Sequence, residues 1–323
     1  MNGKIVSGVL GAAALTGAGL AAFAWWTARR VNAAVPPTGQ FIEIDGQRIH
    51  YTDQGAGRPI LFVHGLGGQT RNFPPALVDE LARRFRVVAF DRPGSGHSTR
   101  PFDAATGIRR QAATIAALIG RLGLERPVVV GHSLGGALAL ALALDHPETV
   151  SGLALIAPLT HVQEHVPEPF RGLAVQSRWL RLLLAWTVAV PAAMRHGRVA
   201  LGEVFGPDPI PADYGTAGGG LLSLRPGSYF SASSDLVVVN DDLPDMVPRY
   251  GSLRLPVGIL FGTGDRILDP QAHGAEAAAA IPGARLEFVK DGGHMLPITV
   301  PARTAAFIEG VAARAEADRA AAA

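Results

Sequence analysis

Short apolar runs, each ending at a turn that carries Gly or Asp, recur through the middle and later parts of the chain. Uninterrupted apolar runs of this length are typical of strands that are buried on both faces. Such runs occupy residues 60–63, 87–90, 128–130, 153–156, 257–261 and 286–289, and two further short runs, 41–44 and 48–51, precede them. Helical patterns lie between them at 107–122, 134–144, 271–281 and 302–315. The sequence therefore predicts an α/β fold whose mostly parallel central sheet carries helices on both faces.

The first two runs differ from the others because polar and apolar residues alternate along them. They flank the dipeptide Asp45-Gly46, which is a strong signal for a two-residue hairpin turn. The sheet should therefore begin with an antiparallel hairpin.

One long interval, residues 158–255, breaks the alternation of strands and helices. It is too long for a structureless loop, so we expect a helical cap inserted at 160–250. The catalytic domain would then comprise 35–159 and 251–323. The apolar segment from Trp179 to Trp186 is the strongest helix candidate of the insertion, and either it lines an apolar pocket or it packs in the ordinary way.

The amino-terminal stretch 5–26 contains no charged residue. About 22 residues of helix span about 33 Å, enough to cross the hydrocarbon core of a bilayer. Trp25 and Trp26 would lie at the membrane interface, followed by Arg29 and Arg30. We therefore expect residues 1–34 to hold a single-pass membrane anchor of undetermined orientation.

Two other interpretations of this stretch remain open. In the first, it is a signal peptide cleaved near Val31-Asn32-Ala33, and the protein is exported. In the second, it is a buried helix of the globular part. In either case Val35-Pro36-Pro37-Thr38-Gly39 is typical of a linker.

Composition excludes several kinds of chemistry. The 323 residues include no Cys, which rules out disulfides, thiolate metal sites and a cysteine nucleophile. The formal net charge is +2 with scattered Arg, so a nucleic-acid partner is not expected. The sequence has neither a His-Glu-x-x-His motif nor a dinucleotide-binding glycine loop, and we expect no metal and no cofactor.

The segment Gly131-His132-Ser133-Leu134-Gly135 follows an apolar strand and opens an Ala/Leu-rich helix. Glycines two positions on either side of a serine let strand and helix pass closely and hold the serine on a strained turn. Ser133 is therefore the candidate nucleophile.

A serine nucleophile needs a base, and the base needs an acid to orient it. Asp265 follows the strand at 257–261, and His294 lies in the loop after the next strand. The order Ser, Asp, His along the chain fits this arrangement. Asp269, which precedes Pro270, is a nearby alternative acid that is better explained as a helix cap.

Two glycine-rich turns complete the candidate chemistry. The backbone N–H groups of Leu66, in the loop after the strand at 60–63, and of Leu134 are the predicted oxyanion donors. His64 either braces that loop or contributes to the substrate pocket with Trp179 and Trp186. The segment from Asp91 to Ser98 is interpreted as a structural turn rather than a second active site.

Taken together, these segments resemble an α/β-hydrolase of the cap-bearing serine hydrolase type. The resemblance spans residue 41 to the last helix and rests on His64–Gly68, Asp91–Ser98, Gly131–Gly136, Gly264-Asp265 and Gly293-His294. It implies a triad of Ser133, Asp265 and His294, an acyl-enzyme intermediate and a helical cap. Ser133 stands where dehalogenases and epoxide hydrolases carry Asp, which disfavours both of those activities.

The resemblance implies hydrolysis of carboxylic esters of small apolar or lipid-like molecules. The main alternative is a hydrolase that cleaves carbon–carbon bonds in dienoate ring-cleavage products with the same triad. An Arg-lined pocket would favour that alternative. A third interpretation, from a different class, is a membrane-tethered binding protein on an inactive hydrolase fold. The oligomeric state is left open.

Overall fold

Eight strands form one sheet in the computed structural model, which describes residues 3–322 and the side chains of all of these except 3–10, 13 and 322. The spatial order is β1-β2-β4-β3-β5-β6-β7-β8, and only the pairings that involve β2 are antiparallel. The strands are β1 (Gln40–Ile44), β2 (Gln47–Gln54), β3 (Arg58–Val63), β4 (Phe85–Phe90), β5 (Val128–His132), β6 (Gly152–Ile156), β7 (Val257–Gly262) and β8 (Arg285–Val289). The predicted mostly parallel sheet is confirmed.

The helices are distributed over both faces of the sheet and through the chain between β6 and β7. They are α1 (Gly3–Ala34), α2 (Pro75–Ala82), α3 (Ile108–Arg121), α4 (Leu134–Asp145), α5 (Arg178–Trp186), α6 (Ala189–Phe205), α7 (Pro226–Leu236), α8 (Leu243–Met246), α9 (Glu276–Ala280), α10 (Leu296–Thr299) and α11 (Pro301–Ala322). A π-helical turn, Gln271–Ala275, precedes α9. Helix α11 therefore runs further than the predicted 302–315.

Alternate residues of each central strand enter different hydrophobic clusters. In β3, Leu61 and Val63 pack with α3 and α4, whereas Ile60 and Phe62 pack with α2 and α11. This alternation follows from the two-residue period of a strand. It explains why the strands contain no polar face in the sequence.

The predicted hairpin turn has the geometry that its sequence demands. Asp45 and Gly46 both have positive φ, 49° and 73°, and the flanking residues Ile44 and Gln47 are paired. Positive φ at both central positions defines a type I′ turn, which matches the twist of the strands.

The chain between β6 and β7, residues 157–256, is the predicted insertion, and it contains α5 to α8. We refer to it as the insertion. Its predicted bounds at residues 160 and 250 remain a prediction.

Helix α1 packs on the insertion along one stripe of residues. Ala24, Thr27, Val31 and Val35 recur every three or four positions and are buried, and the two valines cluster with Leu222 of the insertion. This spacing is that of one helix face. The final turns of α1 are therefore packed against the insertion.

The predicted linker after α1 is also held by hydrogen bonds. Arg225 of the insertion donates to Asn32 Oδ1 over 3.1 Å, and Arg71 donates to the carbonyl of Pro36 over 2.6 Å. The role of residues 35–39 as a linker remains a prediction.

The predicted membrane anchor over 5–26 is not supported. Among the residues that the structure describes, no helix has both the length and the apolar character needed to cross a membrane. Part of the predicted stretch, residues 5–10 and 13, lies outside the described side chains.

Two buried ion pairs that share one carboxylate join the sheet-forming part of the fold to the insertion. Asp235 on α7 accepts from Arg92 over 2.9 Å and from Arg100 over 2.5 Å, and the three side chains are 0–4% exposed. Arg92 also donates to Gln111 Oε1 over 2.6 Å. Because buried guanidinium groups need full hydrogen bonding, the carboxylate of Asp235 is essential to this junction.

Replacing Asp235 by Ala should leave two buried arginines without their shared carboxylate. We expect the free energy of unfolding to fall by about 3–5 kcal/mol, as measured by urea denaturation. Asp53→Ala is the matched control, because Asp53 pairs with Arg86 at a more exposed site, with side chains 22% and 31% exposed. Its loss should be about 1 kcal/mol or less. Equal losses in both variants would contradict this account.

Candidate active site

Ser133 lies at the junction of β5 and α4 in a strained backbone conformation. Its φ is 56° and its ψ is −123°, outside the regions that L-residues favour. A Cβ on Gly131 would come within 2.5 Å of the Gly135 carbonyl oxygen, and one on Gly135 within 2.0 Å of the Val63 oxygen. Only glycine at these two positions lets the strand, the turn and the helix approach so closely.

The loop after β3 packs directly against Ser133. A Cβ on Gly65 would lie 2.8 Å from Ser133 Cβ and 3.3 Å from Ser133 Oγ. The backbone N–H groups of Leu66 and Leu134 donate to no acceptor within residues 3–322. These two N–H groups therefore keep their hydrogen-bonding capacity for another partner.

Asp265 and His294 form a buried hydrogen-bonded pair. His294 Nδ1 and Asp265 Oδ2 are 2.7 Å apart, and their side chains are 4% and 0% exposed. The other carboxylate oxygen accepts from the N–H groups of Ile267 and Leu268 over 2.8 and 3.1 Å. An acceptor at Nδ1 fixes the imidazole tautomer and leaves Nε2 without a proton.

The carboxyl group of Asp265 remains ionised in this setting. Burial alone raises its pKa, but the adjacent imidazole of His294 and the two backbone donors outweigh burial and hold the pKa below its usual value. Asp269 accepts instead from the N–H of Gln271 over 2.9 Å, as the helix-capping interpretation predicts.

No hydrogen bond joins Ser133 Oγ to His294 Nε2 among the described residues. Such bonds are often long or poorly aligned before substrate binds, so proton transfer between the two residues does not require this bond in the free protein. Both residues follow the carboxyl ends of parallel strands, β5 and β8, where ligands gather in open α/β sheets.

Two residues that the sequence analysis missed hold the His294 loop. His132 Nε2 donates to the carbonyl oxygen of His294 over 2.9 Å, and burial lowers the pKa of His132 to about 3. Asp208 of the insertion accepts from the N–H of Gly293 over 2.9 Å. His132 lies inside the serine motif and was therefore visible, whereas no sequence signal marks Asp208.

His64 braces the loop that carries Leu66. It is fully buried, its Nδ1 donates to the Gly65 carbonyl over 2.8 Å, and its Nε2 accepts from the Arg92 N–H over 2.9 Å. Burial lowers its pKa to about 3, so the ring stays neutral and both bonds persist. Both ring nitrogens of His64 are therefore occupied by hydrogen bonds that hold the loop, as the bracing interpretation predicts.

Trp179 and Trp186, the other predicted pocket residues, are 63% and 40% exposed. Trp179 packs on Phe102 with ring centroids 5.2 Å apart. Their part in a substrate pocket remains a prediction.

A second Asp–His pair supports the turn at residues 91–98. Asp91 Oδ2 lies 2.8 Å from His50 Nδ1 and accepts from the His97 N–H, while Oδ1 accepts from the Thr70 N–H. His50 Nε2 accepts from the backbone N–H of Gly39, so no nucleophile faces this imidazole. Within the described part of the chain, no group of three or more His or acidic residues is arranged to hold a metal ion.

Comparison with known protein families shows which family the chain belongs to. The profile of a family described as "alpha/beta hydrolase fold" matches residues 58–301. The chain belongs to the α/β-hydrolase family. The match includes β3 to β8, the serine turn and both loops that carry Asp265 and His294.

Relatives of this α/β-hydrolase differ in the activities that they are named for. It is 30% identical over 293 residues to a 2-hydroxymuconate semialdehyde hydrolase of Pseudomonas putida, covering 87% of this chain and 96% of that one. It is 33% identical over 267 residues to the dihydrolipoyllysine-residue acetyltransferase component of the acetoin cleaving system of Cupriavidus necator. That match covers 79% of this chain but only 64% of the longer relative.

A solved structure of an α/β-hydrolase fold protein from Burkholderia ambifaria superposes with a TM-score of 0.70 and 25% identity. The match covers 83% of this chain and 95% of that one. The predicted fold class is thereby confirmed in full.

Replacing Gly65 by Ala should displace either the loop that bears Leu66 or Ser133 itself, because the new Cβ has only 2.8 Å to Ser133 Cβ. We expect the rate of Ser133 labelling by a fluorophosphonate to fall about 10²-fold, the cost of misplacing reacting groups by about 1 Å.

Gly120→Ala on α3 is the matched control, because nothing lies within 4 Å of a Cβ there. It should label at the rate of the unsubstituted protein. A Gly65→Ala variant that labels equally fast would show that the contact with Ser133 has no role in reactivity.

Proposed function

We propose that this α/β-hydrolase is a serine hydrolase that cleaves carboxylic esters of small apolar or lipid-like molecules. The observation that carries the proposal is the buried Asp265–His294 pair, 2.7 Å apart, at the same end of the sheet as the strained Ser133. A chain used only for binding has no need for a strained serine at the same end of the sheet as an imidazole that a carboxylate orients.

The reaction begins when Ser133 Oγ attacks the ester carbonyl carbon and His294 Nε2 takes the hydroxyl proton. Asp265 holds the proton on Nδ1 and stabilises the imidazolium that forms. The unpaired N–H groups of Leu66 and Leu134 donate to the oxyanion. His294 then protonates the departing alkoxide, which leaves an acyl-enzyme on Ser133.

Water completes the cycle. His294 removes a proton from the water molecule, the hydroxide attacks the acyl carbon, and the carboxylic acid leaves as Ser133 Oγ regains its proton. The neutral His64 and His132 take no part in these transfers, because their pKa values of about 3 are far below neutral pH.

We assign the catalytic domain to 35–159 and 251–323 and the cap to 160–250. Two contacts support a cap that is coupled to the site. Asp235 pairs with Arg92, whose guanidinium donates to the carbonyl of Gly65 over 3.0 Å, and Asp208 holds the N–H of Gly293.

Ser133→Ala should abolish hydrolysis of short p-nitrophenyl esters, lowering kcat/KM by about 10⁴-fold or more. The matched control is Ser95→Ala, since Ser95 also lies in a glycine turn and is 7% exposed, but its hydroxyl makes no hydrogen bond to a His side chain of the described residues. Ester hydrolysis should be unchanged in that variant. Undiminished hydrolysis by a folded Ser133→Ala protein would reject the proposal.

Carbon–carbon bond hydrolysis is a second candidate, favoured by Arg181 on α5. This residue is 8% exposed; it donates to Ser234 Oγ over 2.6 Å and to the Gln176 carbonyl over 3.1 Å. Its Nε has no partner, and no carboxylate of the described chain pairs with it. A substrate carboxylate would complete its bonding, and the Pseudomonas putida relative is named for a substrate of that kind.

Replacing Arg181 by Gln separates the two candidates. If a substrate carboxylate binds there, KM for a dienoate ring-cleavage product should rise about tenfold or more, whereas hydrolysis of an uncharged ester should be little changed. Arg178→Gln is the control, because Arg178 is exposed on the same helix. If the unsubstituted protein cleaves only esters, or if both variants respond alike, the second candidate is rejected.

A further inference from the structure

Helix α5 has its polar and apolar sides reversed relative to a water-facing helix. Arg181 and Ala185 are buried, whereas Trp179, Leu183 and Trp186 are 63%, 60% and 40% exposed. The three exposed residues follow an i, i+4, i+7 spacing and form one stripe. A surface helix of a soluble domain places such a stripe against its core.

Helix α1 contacts α5 and carries further exposed apolar side chains. With its buried stripe against the insertion, it leaves Phe23, Trp25 and Trp26 exposed by 36%, 51% and 48%. We call the exposed set the aromatic face; its members are Phe23, Trp25, Trp26, Trp179, Leu183 and Trp186. Exposed apolar residues concentrated in this way mark an interaction surface rather than a random scatter.

The helical segments that carry the aromatic face have basic but no acidic side chains, and one of these bases, Arg181, is buried on the opposite side of α5. Residues 11–34 and 178–202 contain no Asp or Glu, and their ionisable side chains are Arg29, Arg30, Arg178, Arg181, Arg195, His196 and Arg198. Guanidinium groups stack directly on the exposed rings: Arg29 on Trp25 at 4.9 Å, Arg30 on Trp26 at 4.7 Å and Arg178 on Trp179 at 5.2 Å. The stacked arginines and exposed rings favour a partner that is apolar and negatively charged.

We propose that the aromatic face docks on the surface of an anionic phospholipid bilayer. Tryptophan rings favour the boundary between headgroups and acyl chains, and neighbouring arginines bind lipid phosphates. Docking of this kind buries apolar side chains only about 5–10 Å deep and needs no helix to cross the bilayer. A second copy of the chain fits less well, because pairing two such faces brings like charges together.

The test measures binding of the full-length protein to phosphatidylcholine vesicles with and without phosphatidylglycerol, by co-sedimentation. Binding should require phosphatidylglycerol and weaken as salt is added. Trp179→Ser combined with Leu183→Ser should lower the partition coefficient about tenfold or more, and so should Arg29→Glu combined with Arg30→Glu. Circular dichroism verifies that each variant is folded.

Two controls use exposed residues away from the face. Phe288→Ser removes an apolar side chain that is 47% exposed on β8, and Arg110→Glu with Arg121→Glu reverses two exposed charges on α3. Both controls should bind vesicles like the unsubstituted protein.

Three results would overturn the proposal. The first is equal vesicle binding by the face variants and the controls, and the second is no preference for anionic vesicles. The third is a dimer in sedimentation velocity that the Trp179/Leu183 variant abolishes, with no vesicle binding, which would assign the face to a second copy. None of these outcomes depends on hydrolysis at Ser133, so the proposed function can fail or stand independently.

Discussion

The guanidinium of Arg92, withdrawn from water, fixes the geometry around the candidate site. It donates to the carbonyls of His64 and Gly65 over 3.1 and 3.0 Å and to Asp235 of the insertion. Moving such an ion into a protein interior costs several kcal/mol unless all of its bonds are made. The loop that bears Leu66 and helix α7 are therefore held in one relative arrangement. A shift of the insertion would strain the loop that packs against Ser133.

Contacts close in sequence account for most of what the sequence predicted correctly. Each buried strand is recognised by its own apolar run, because both of its faces enter a hydrophobic cluster. The turn at Ser133 is recognised because a close approach of strand and helix excludes a Cβ at Gly131 and Gly135, which leaves a readable spacing. Asp265 and His294 could be paired from the sequence because each lies in a loop after a strand, and the sheet brings strand ends together.

Contacts distant in sequence could not be predicted in the same way. Arg92 and Asp235 lie 143 positions apart and Asp208 and Gly293 lie 85 apart, and nothing local in either pair specifies its partner. The amino-terminal helix is a different case, because its local pattern is clear but fits more than one environment. A run without charged residues indicates burial, but not whether lipid or protein surrounds the helix. In the structure, Ala24, Thr27 and Val31 pack on the insertion.

The arginines of the insertion and of α1 differ in burial, and burial determines which anions they can bind. Arg181 is 8% exposed, so any anion there must lose its own hydration, which favours a small carboxylate that the surrounding groups can enclose. Arg29 and Arg30 are exposed on tryptophan rings, where a phosphate keeps much of its water and many weak contacts add together. Since α5 carries Arg181 on one side and Trp179 on the other, one helix can take part in both kinds of recognition.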